Sequence, residues 1–158
     1  MSTSTDKSYG IVRVRGEADS PSGVRDTLDM LNLTQVNAFT VVPGDDTYSG
    51  MVQKVNDYVA YGEPDAATVA VLLEERGETL EGGDVDDDFA SEQGFDSVNT
   101  LAEAVVEGET TLREAGVNPT LRLHPPRKGH DGIKHSYKQG GVLGNHGDEI
   151  DDLLRRMR

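Results

Sequence analysis

Apolar residues recur along this chain with two periods, and the switches between them mark its elements. From Tyr9 to Arg15 apolar and polar positions alternate, with Val12 and Val14 on one side and Ile11, Arg13 and Arg15 on the other. That is the period of a strand with one buried face and one partly polar face. Ser20-Pro21 supplies a helix cap followed by a proline suited to the first helical position, and Val24, Thr27, Leu28 and Leu31 then fall on one helical stripe. Val36 to Val42 predicts a second strand, stopped by Pro43-Gly44 and an acidic turn. Tyr48, Met51, Val52 and Val55 repeat at i, i+3, i+4 and i+7, a second amphipathic helix, and Tyr58 to Tyr61 ahead of Gly62 reads as a third strand. The order is β-α-β-α-β. Val12, Val14, Leu28, Leu31, Val52 and Val55 are expected to pack together as its core.

Beyond Gly62 the helical period dominates. Pro64-Asp65 opens a helix that buries Val69, Leu72 and Leu73 and ends at Gly77. Glu81 to Asp88 is acidic, contains glycine and reads as a solvated loop. Val98, Leu101, Ala102 and Val105 mark another helix, and Thr111 with Glu114 has capping-box spacing before a turn at Gly116. Thr120 to His124 suggests a short strand. Pro125-Pro126 then begins a long loop, and Ile150, Leu153, Leu154 and Met157 line a final helix. Met30, Met51 and Met157 fall on apolar helix faces, where packing is the default role. No internal repeat is visible. The expected organisation is a flexible N-terminus (1–8), a β-α-β-α-β core (9–62), an acidic helical module (63–119), a basic extension rich in glycine and histidine (120–147) and a C-terminal helix (148–158).

Charge changes this picture. The 158 residues hold 29 acidic and 15 basic groups, a net charge of -14, with no cysteine to build a disulfide or thiolate metal site. No apolar run approaches the ~18–20 residues that span a bilayer, so a soluble, cytoplasmic protein is expected. Only five of the cations are lysines. Such a surface either disorders a chain by self-repulsion or stays hydrated in molar salt, where the Debye length falls to about 3 Å. The reading here is adaptation to a salt-rich cytoplasm. The distribution is uneven: residues 65–119 carry two basic and fifteen acidic groups, whereas residues 120–147 carry five basic and one acidic group.

That basic stretch is the candidate site. Arg122, His124, Arg127, Lys128, His130, Lys134, His135, Tyr137 and Lys138 offer cations for phosphate and rings for hydrogen bonding or stacking, and the intervening glycines permit close backbone approach. Arg13 and Arg15, on the polar face of the first strand, are further candidates. Competing chemistries find little support. The spacings of His124, His130, His135 and His146 match no compact zinc pattern. Gly140 to Gly147 lacks the Gly-Lys-Ser/Thr ending of a phosphate loop, and Asp86, Asp87 and Asp88 read as solvated acid, not a cation site. Serine, histidine and carboxylate are plentiful, but no nucleophile-elbow motif selects a triad. No catalytic residue, metal or cofactor is expected.

Several segments together resemble one family. They are Leu31-Asn-Leu with Val36-Asn37, Tyr48-Ser-Gly-Met-Val-Gln-Lys-Val-Asn-Asp-Tyr-Val59, Thr111-Leu-Arg-Glu114, Leu121-Arg-Leu-His-Pro-Pro-Arg127 and Gly129-His-Asp-Gly-Ile-Lys-His135. They resemble large-subunit ribosomal protein thirty in its long archaeal form, whose eukaryotic relative is large-subunit protein seven, from about Tyr9 to the C-terminus. Ser49 stands where arginine is common in that family, so no RNA contact is carried over to it. Lys54, in the shared helix motif, joins the RNA-binding candidates.

The resemblance implies an α+β fold, a three-stranded antiparallel sheet with two helices on one face, similar to a truncated ferredoxin-like fold. Residue patterning alone would favour parallel strands. It also implies a structural, non-enzymatic role in the large ribosomal subunit. The implied partners are large-subunit (23S-type) rRNA, the 5S rRNA region and neighbouring ribosomal proteins, with no membrane and no small-molecule substrate. The alternative is a free-standing RNA-binding or RNA-processing factor, which would not sediment with large subunits. A small-molecule enzyme on a similar scaffold would need convergent titratable groups, and no spacing announces them.

The acid surplus generates a first prediction. The isolated protein is expected to unfold cooperatively only in roughly molar salt, where repulsion within residues 65–119 is screened. Circular-dichroism melts across a potassium chloride series check this, and a native-like melt in dilute buffer that added salt leaves unchanged would contradict it.

Overall fold

Strand β1 (Tyr9–Arg13) lies at the centre of a five-stranded sheet. The computed structural model describes residues 8–15, 22–126 and 141–158. β1 pairs antiparallel with β2 (Ala38–Val42) along one edge and with β3 (Val59–Gly62) along the other. β4 (Leu121–Arg122) extends the sheet antiparallel beyond β2, and β5 (Gly144–Asn145) extends it parallel beyond β3. The order is β4-β2-β1-β3-β5. The mixed α+β class and the antiparallel arrangement of the first three strands are as expected, but two strands are added. Thr120–His124 was expected to contain a strand; β5 was not anticipated, because two residues are too short to show a period.

The two helices of the β-α-β-α-β core share one face of the sheet, as expected, and the later helices cover the other face. Ile11, Ala38, Val42, Val59 and Tyr61 face α1 (Ser22–Met30) and α2 (Asp46–Lys54), meeting Leu28, Leu31, Leu33, Val52 and Val55. Val12, Val14, Phe39, Val41 and Ala60 face the other way, against α3 (Ala66–Arg76), α5 (Val98–Val106) and the final helix α6 (Ile150–Arg156). The expected single cluster is therefore two: Val12 and Val14 lie across the sheet from Leu28, Leu31, Val52 and Val55. The strands are apolar on alternate and intervening positions alike, which is what a sheet buried on both sides requires. Helices of the 63–119 segment thus share a core with the sheet.

Local chemistry sets the helix ends. Asp45, Asp65 and Ser97 cap α2, α3 and α5, each side chain accepting from a backbone N–H three residues on. Thr111 Oγ1 accepts from Glu114 N–H at 3.2 Å, one half of the expected capping box. The acidic run is not simply a solvated loop. Val85 is buried, Asp86 caps a further helix, α4 (Asp87–Glu92), and Asp87 accepts from Val98 N–H at 2.9 Å, pinning α4 to α5. Met30 is also corrected: it is 69% exposed, while Met157 is fully buried. Glycine is required at two close approaches. A methyl group on Gly10 would lie 2.9 Å from the Pro64 ring, and one on Gly62 would collide with the Gly147 carbonyl oxygen.

Two substitutions test the two-sided core. Leu28→Ala and Leu72→Ala, on opposite faces, should each destabilise the protein by about 2–5 kcal/mol. Their effects should add to within about 0.5 kcal/mol. Urea unfolding of the single and double variants in molar salt measures this; a strong coupling between them would mean that the sheet does not separate the two clusters.

Candidate nucleic-acid interface

The strand registers bring the candidate cations to one end of the sheet. β1 ends at Arg13, opposite Val59 at the start of β3, and Arg122 at the end of β4 pairs with Ala38 at the start of β2. Asn37 N–H donates to the Arg13 carbonyl at 2.7 Å and closes the same end. Arg15 follows β1 there, Lys54 closes α2 just ahead of the turn into β3, and His124 follows β4. The candidates Arg127, Lys128, His130, Lys134, His135, Tyr137 and Lys138 lie outside the described residues; in the chain they follow Pro126, beyond this end of β4.

The side chains at this end differ sharply in accessibility. Arg13 was expected on a polar face but is 1% exposed. Its Nη1 donates to the Leu33 carbonyl at 2.9 Å and its Nε to the Arg15 carbonyl at 3.0 Å. The chain between α1 and β2 covers that face, so Arg13 cannot reach a partner molecule in this fold and acts as an internal strut. Arg15 is half-buried, with its guanidinium carbon 4.9 Å from the centre of the Tyr58 ring and Nη1 3.4 Å from the Asp57 carbonyl. That stacking leaves part of the guanidinium open. Lys54 and Arg122 are exposed. His124 is exposed too: its backbone N–H donates to Met157 O at 2.7 Å, and its Nδ1 lies 2.6 Å from the Pro125 carbonyl, so that nitrogen carries the proton.

Sequence reasoning missed Arg76. It stands in the last turn of α3, in the most acidic part of the chain, yet the fold brings it to the cleft that Arg122 lines. No sequence spacing connects positions 76 and 122; only the pairing of β4 beside β2 does.

The remaining titratable features serve the fold. His146 is buried, with Nε2 2.7 Å from the Val142 carbonyl. Asp65 is held below the usual carboxylate range mainly by the backbone N–H of Thr68. Asp151, which accepts from Asp65 N–H at 3.0 Å, is pushed up by burial. Burial also raises the Tyr61 phenol, to which Gln53 Nε2 donates at 3.1 Å. Among the described residues no three histidines or carboxylates gather as a metal site would need. No helix of the described residues is long and apolar enough to cross a membrane.

Comparison with known proteins places this architecture. The description "Ribosomal protein L30p/L7e" matches residues 9–59, which span β1, α1, β2 and α2 up to the start of β3. A relative from Natronomonas pharaonis, a large ribosomal subunit protein uL30, is 60% identical over 151 residues, covering 94% of this chain and 98% of its own length. The chain belongs to the ribosomal protein L30p/L7e family. A uL30 protein of Haloarcula marismortui is 53% identical over 95% of this chain and 99% of its own length, and one of Methanocella arvoryzae is 45% identical over the same shares. In this family member the long extension past β3 is therefore shared with the relatives, and the acid-rich composition accompanies kinship to proteins of halophilic archaea.

Arg13 yields a prediction that separates an internal strut from an outward-facing cation. Arg13→Met keeps the stem but leaves the Leu33 and Arg15 carbonyls without their donor, at about 1–3 kcal/mol for the buried Leu33 carbonyl and less for the part-buried Arg15 carbonyl. Arg15→Met, at a half-exposed site, should cost less than about 1 kcal/mol. Urea midpoints in molar salt check this; equal shifts for the two variants would contradict the assignment.

Proposed function

We propose that this protein is a structural component of the large ribosomal subunit in the cytoplasm, binding large-subunit (23S-type) rRNA through the cationic end of its sheet and the basic stretch that follows β4. The role is structural, not catalytic. One observation carries the reading: relatives named as large ribosomal subunit proteins match nearly the whole chain, basic stretch included, at up to 60% identity. The charge layout supports it, because exposed Lys54, Arg122 and His124 gather at one end of the sheet in a chain whose net charge is -14. Arg127, Lys128, Lys134 and Lys138 neutralise phosphates, while His130, His135 and Tyr137 add hydrogen bonds and stacking that survive high salt. Contacts with the 5S rRNA region and with neighbouring ribosomal proteins complete the proposed assembly.

The test is incorporation. A tagged chain expressed in a haloarchaeal host should sediment with large subunits at one copy each and persist through a salt wash; a free-standing processing factor would remain at the top of the gradient. Replacing Arg127, Lys128, Lys134 and Lys138 together by alanine should reduce incorporation and flatten the salt dependence of RNA binding by about 0.7–0.9 log unit for each phosphate left without its cation. Removing Arg25 and Arg113, exposed cations elsewhere, should leave incorporation intact. Equal incorporation of both variants would remove the basic stretch as the anchor.

A further inference from the structure

Arg76 and Arg122 line one polar cleft of about 290 Å³, completed by Thr34, Asn118 and Thr120, with Glu78 as its one carboxylate. We propose that this cleft holds a phosphodiester group of the bound RNA between the two guanidiniums, carrying the interface from the end of the sheet onto the acidic helical segment; the inference rests on the RNA-binding reading above.

Three observations support it. Arg76 is one of only two cations among residues 65–119, which hold fifteen carboxylates, with Glu74, Glu75 and Glu78 close by in the chain. Among the described residues, however, neither Arg76 nor Arg122 is engaged in an ion pair or hydrogen bond. Two guanidiniums brought to one cleft and kept out of pairs on so acidic a surface are poised for an anion from outside.

The cleft's other side chains are already set. Asn118 N–H donates to the Glu78 carbonyl at 2.8 Å, and Thr120 Oγ1 donates to the Asn32 carbonyl at 2.7 Å. Asn118 Oδ1 accepts from Thr120 N–H at 3.0 Å, which leaves the Asn118 amide NH2 as a donor. Donors then outnumber the one acceptor carboxylate, and that carboxylate belongs to a solvent-exposed residue.

The third observation is the residue type. Both cations are arginines, whose planar forks match phosphate oxygens with paired hydrogen bonds. In molar salt attraction beyond about 3 Å is screened, so a phosphate must be gripped by direct contact. Arg122 stands on the outermost strand, five residues before Arg127, so the cleft continues the basic stretch along the chain.

The experiment uses the full chain in molar salt and a large-subunit rRNA transcript. Arg76→Gln, Arg122→Gln, their double variant and Arg76→Lys are compared with a charge-matched Arg25→Gln/Arg113→Gln control, and circular dichroism verifies that each is folded. Arg76→Gln should weaken RNA binding by about tenfold, the scale set by charge-assisted hydrogen bonds. It should also lower the salt slope by about 0.7–0.9. Arg76→Lys should recover the slope but only part of the affinity. The double variant should weaken binding by less than the product of the two single effects, because both arginines hold one group. The control should stay within about twofold of the parent, since its cations lie outside the cleft.

Binding by Arg76→Gln equal to that of the control would overturn the proposal while leaving the ribosomal reading intact. Inorganic phosphate titrated into the free protein supplies a further arm. Phosphate binding that Arg76→Gln abolishes, with RNA affinity unchanged, would identify a free-anion site and overturn the RNA assignment. Failure of the unaltered protein to bind the transcript would instead strike the RNA-binding reading itself, and the cleft proposal with it.

Discussion

Four consecutive residues of β1, Gly10 to Arg13, have almost no access to water, so every backbone group there must find a partner within the protein and every side chain must be covered. Much else follows from that constraint. β2 and β3 satisfy the two edges of the strand. Helices α1 and α2 cover Ile11 from one side, and α3, α5 and α6 cover Val12 and Val14 from the other. Gly10 and Gly62 carry no side chain because Pro64 and the turn before α6 approach the sheet there. Arg13 is the unusual member. A guanidinium in so dry a position is tolerated because it donates to the backbone carbonyls of Leu33 and Arg15, so the cation joins β1 to the chain entering β2.

The acid surface and the RNA-binding role are compatible because charge acts locally here. With screening lengths near 3 Å in molar salt, a net charge of -14 barely acts at a distance, and what matters is which groups lie within reach of a phosphate. The carboxylates are also not all spent on hydration. Asp45, Asp65 and Asp86 cap helices, and Asp87 holds α4 to α5. Part of the acid surplus is therefore structural.

How much of this was legible in the sequence depended on the range of the interactions. The apolar stripe through Val69, Leu72 and Leu73, the stripe through Leu101, Ala102 and Val105, and the opening of α3 at Pro64-Asp65 were readable because each is set within a few residues. The burial of Arg13 was not, since its alternation with Val12 and Val14 looks like a solvent face until Leu33 is known to cover it. β5 escaped notice because Gly144 and Asn145 become a strand only by pairing with Ala60 and Tyr61. Of the candidate residues, Arg122 and His124 were identifiable by type and local charge and Lys54 by the family resemblance, and the fold leaves all three exposed at one end. Arg76 was invisible because its neighbours in sequence are glutamates and its neighbour in space is 46 positions away.

The difference between a buried strut and the proposed open binding group explains why arginine suits both positions within one sheet. Inside, at Arg13, the guanidinium is useful because it places several N–H donors in a fixed plane and so satisfies two carbonyls at once. Outside, at the proposed contact of Arg122, the same plane matches the oxygens of a phosphate where salt has removed the advantage of a simple point charge. A lysine at position 13 would bury a compact, strongly hydrated ammonium against carbonyls set by the larger fork, and a lysine at 122 would surrender paired geometry in the solvent that most demands it. The low lysine count that first signals salt adaptation thus extends to the cleft, where both cations are arginines, while exposed Lys54 stands at the end of α2 and complements the helix dipole as a point charge can.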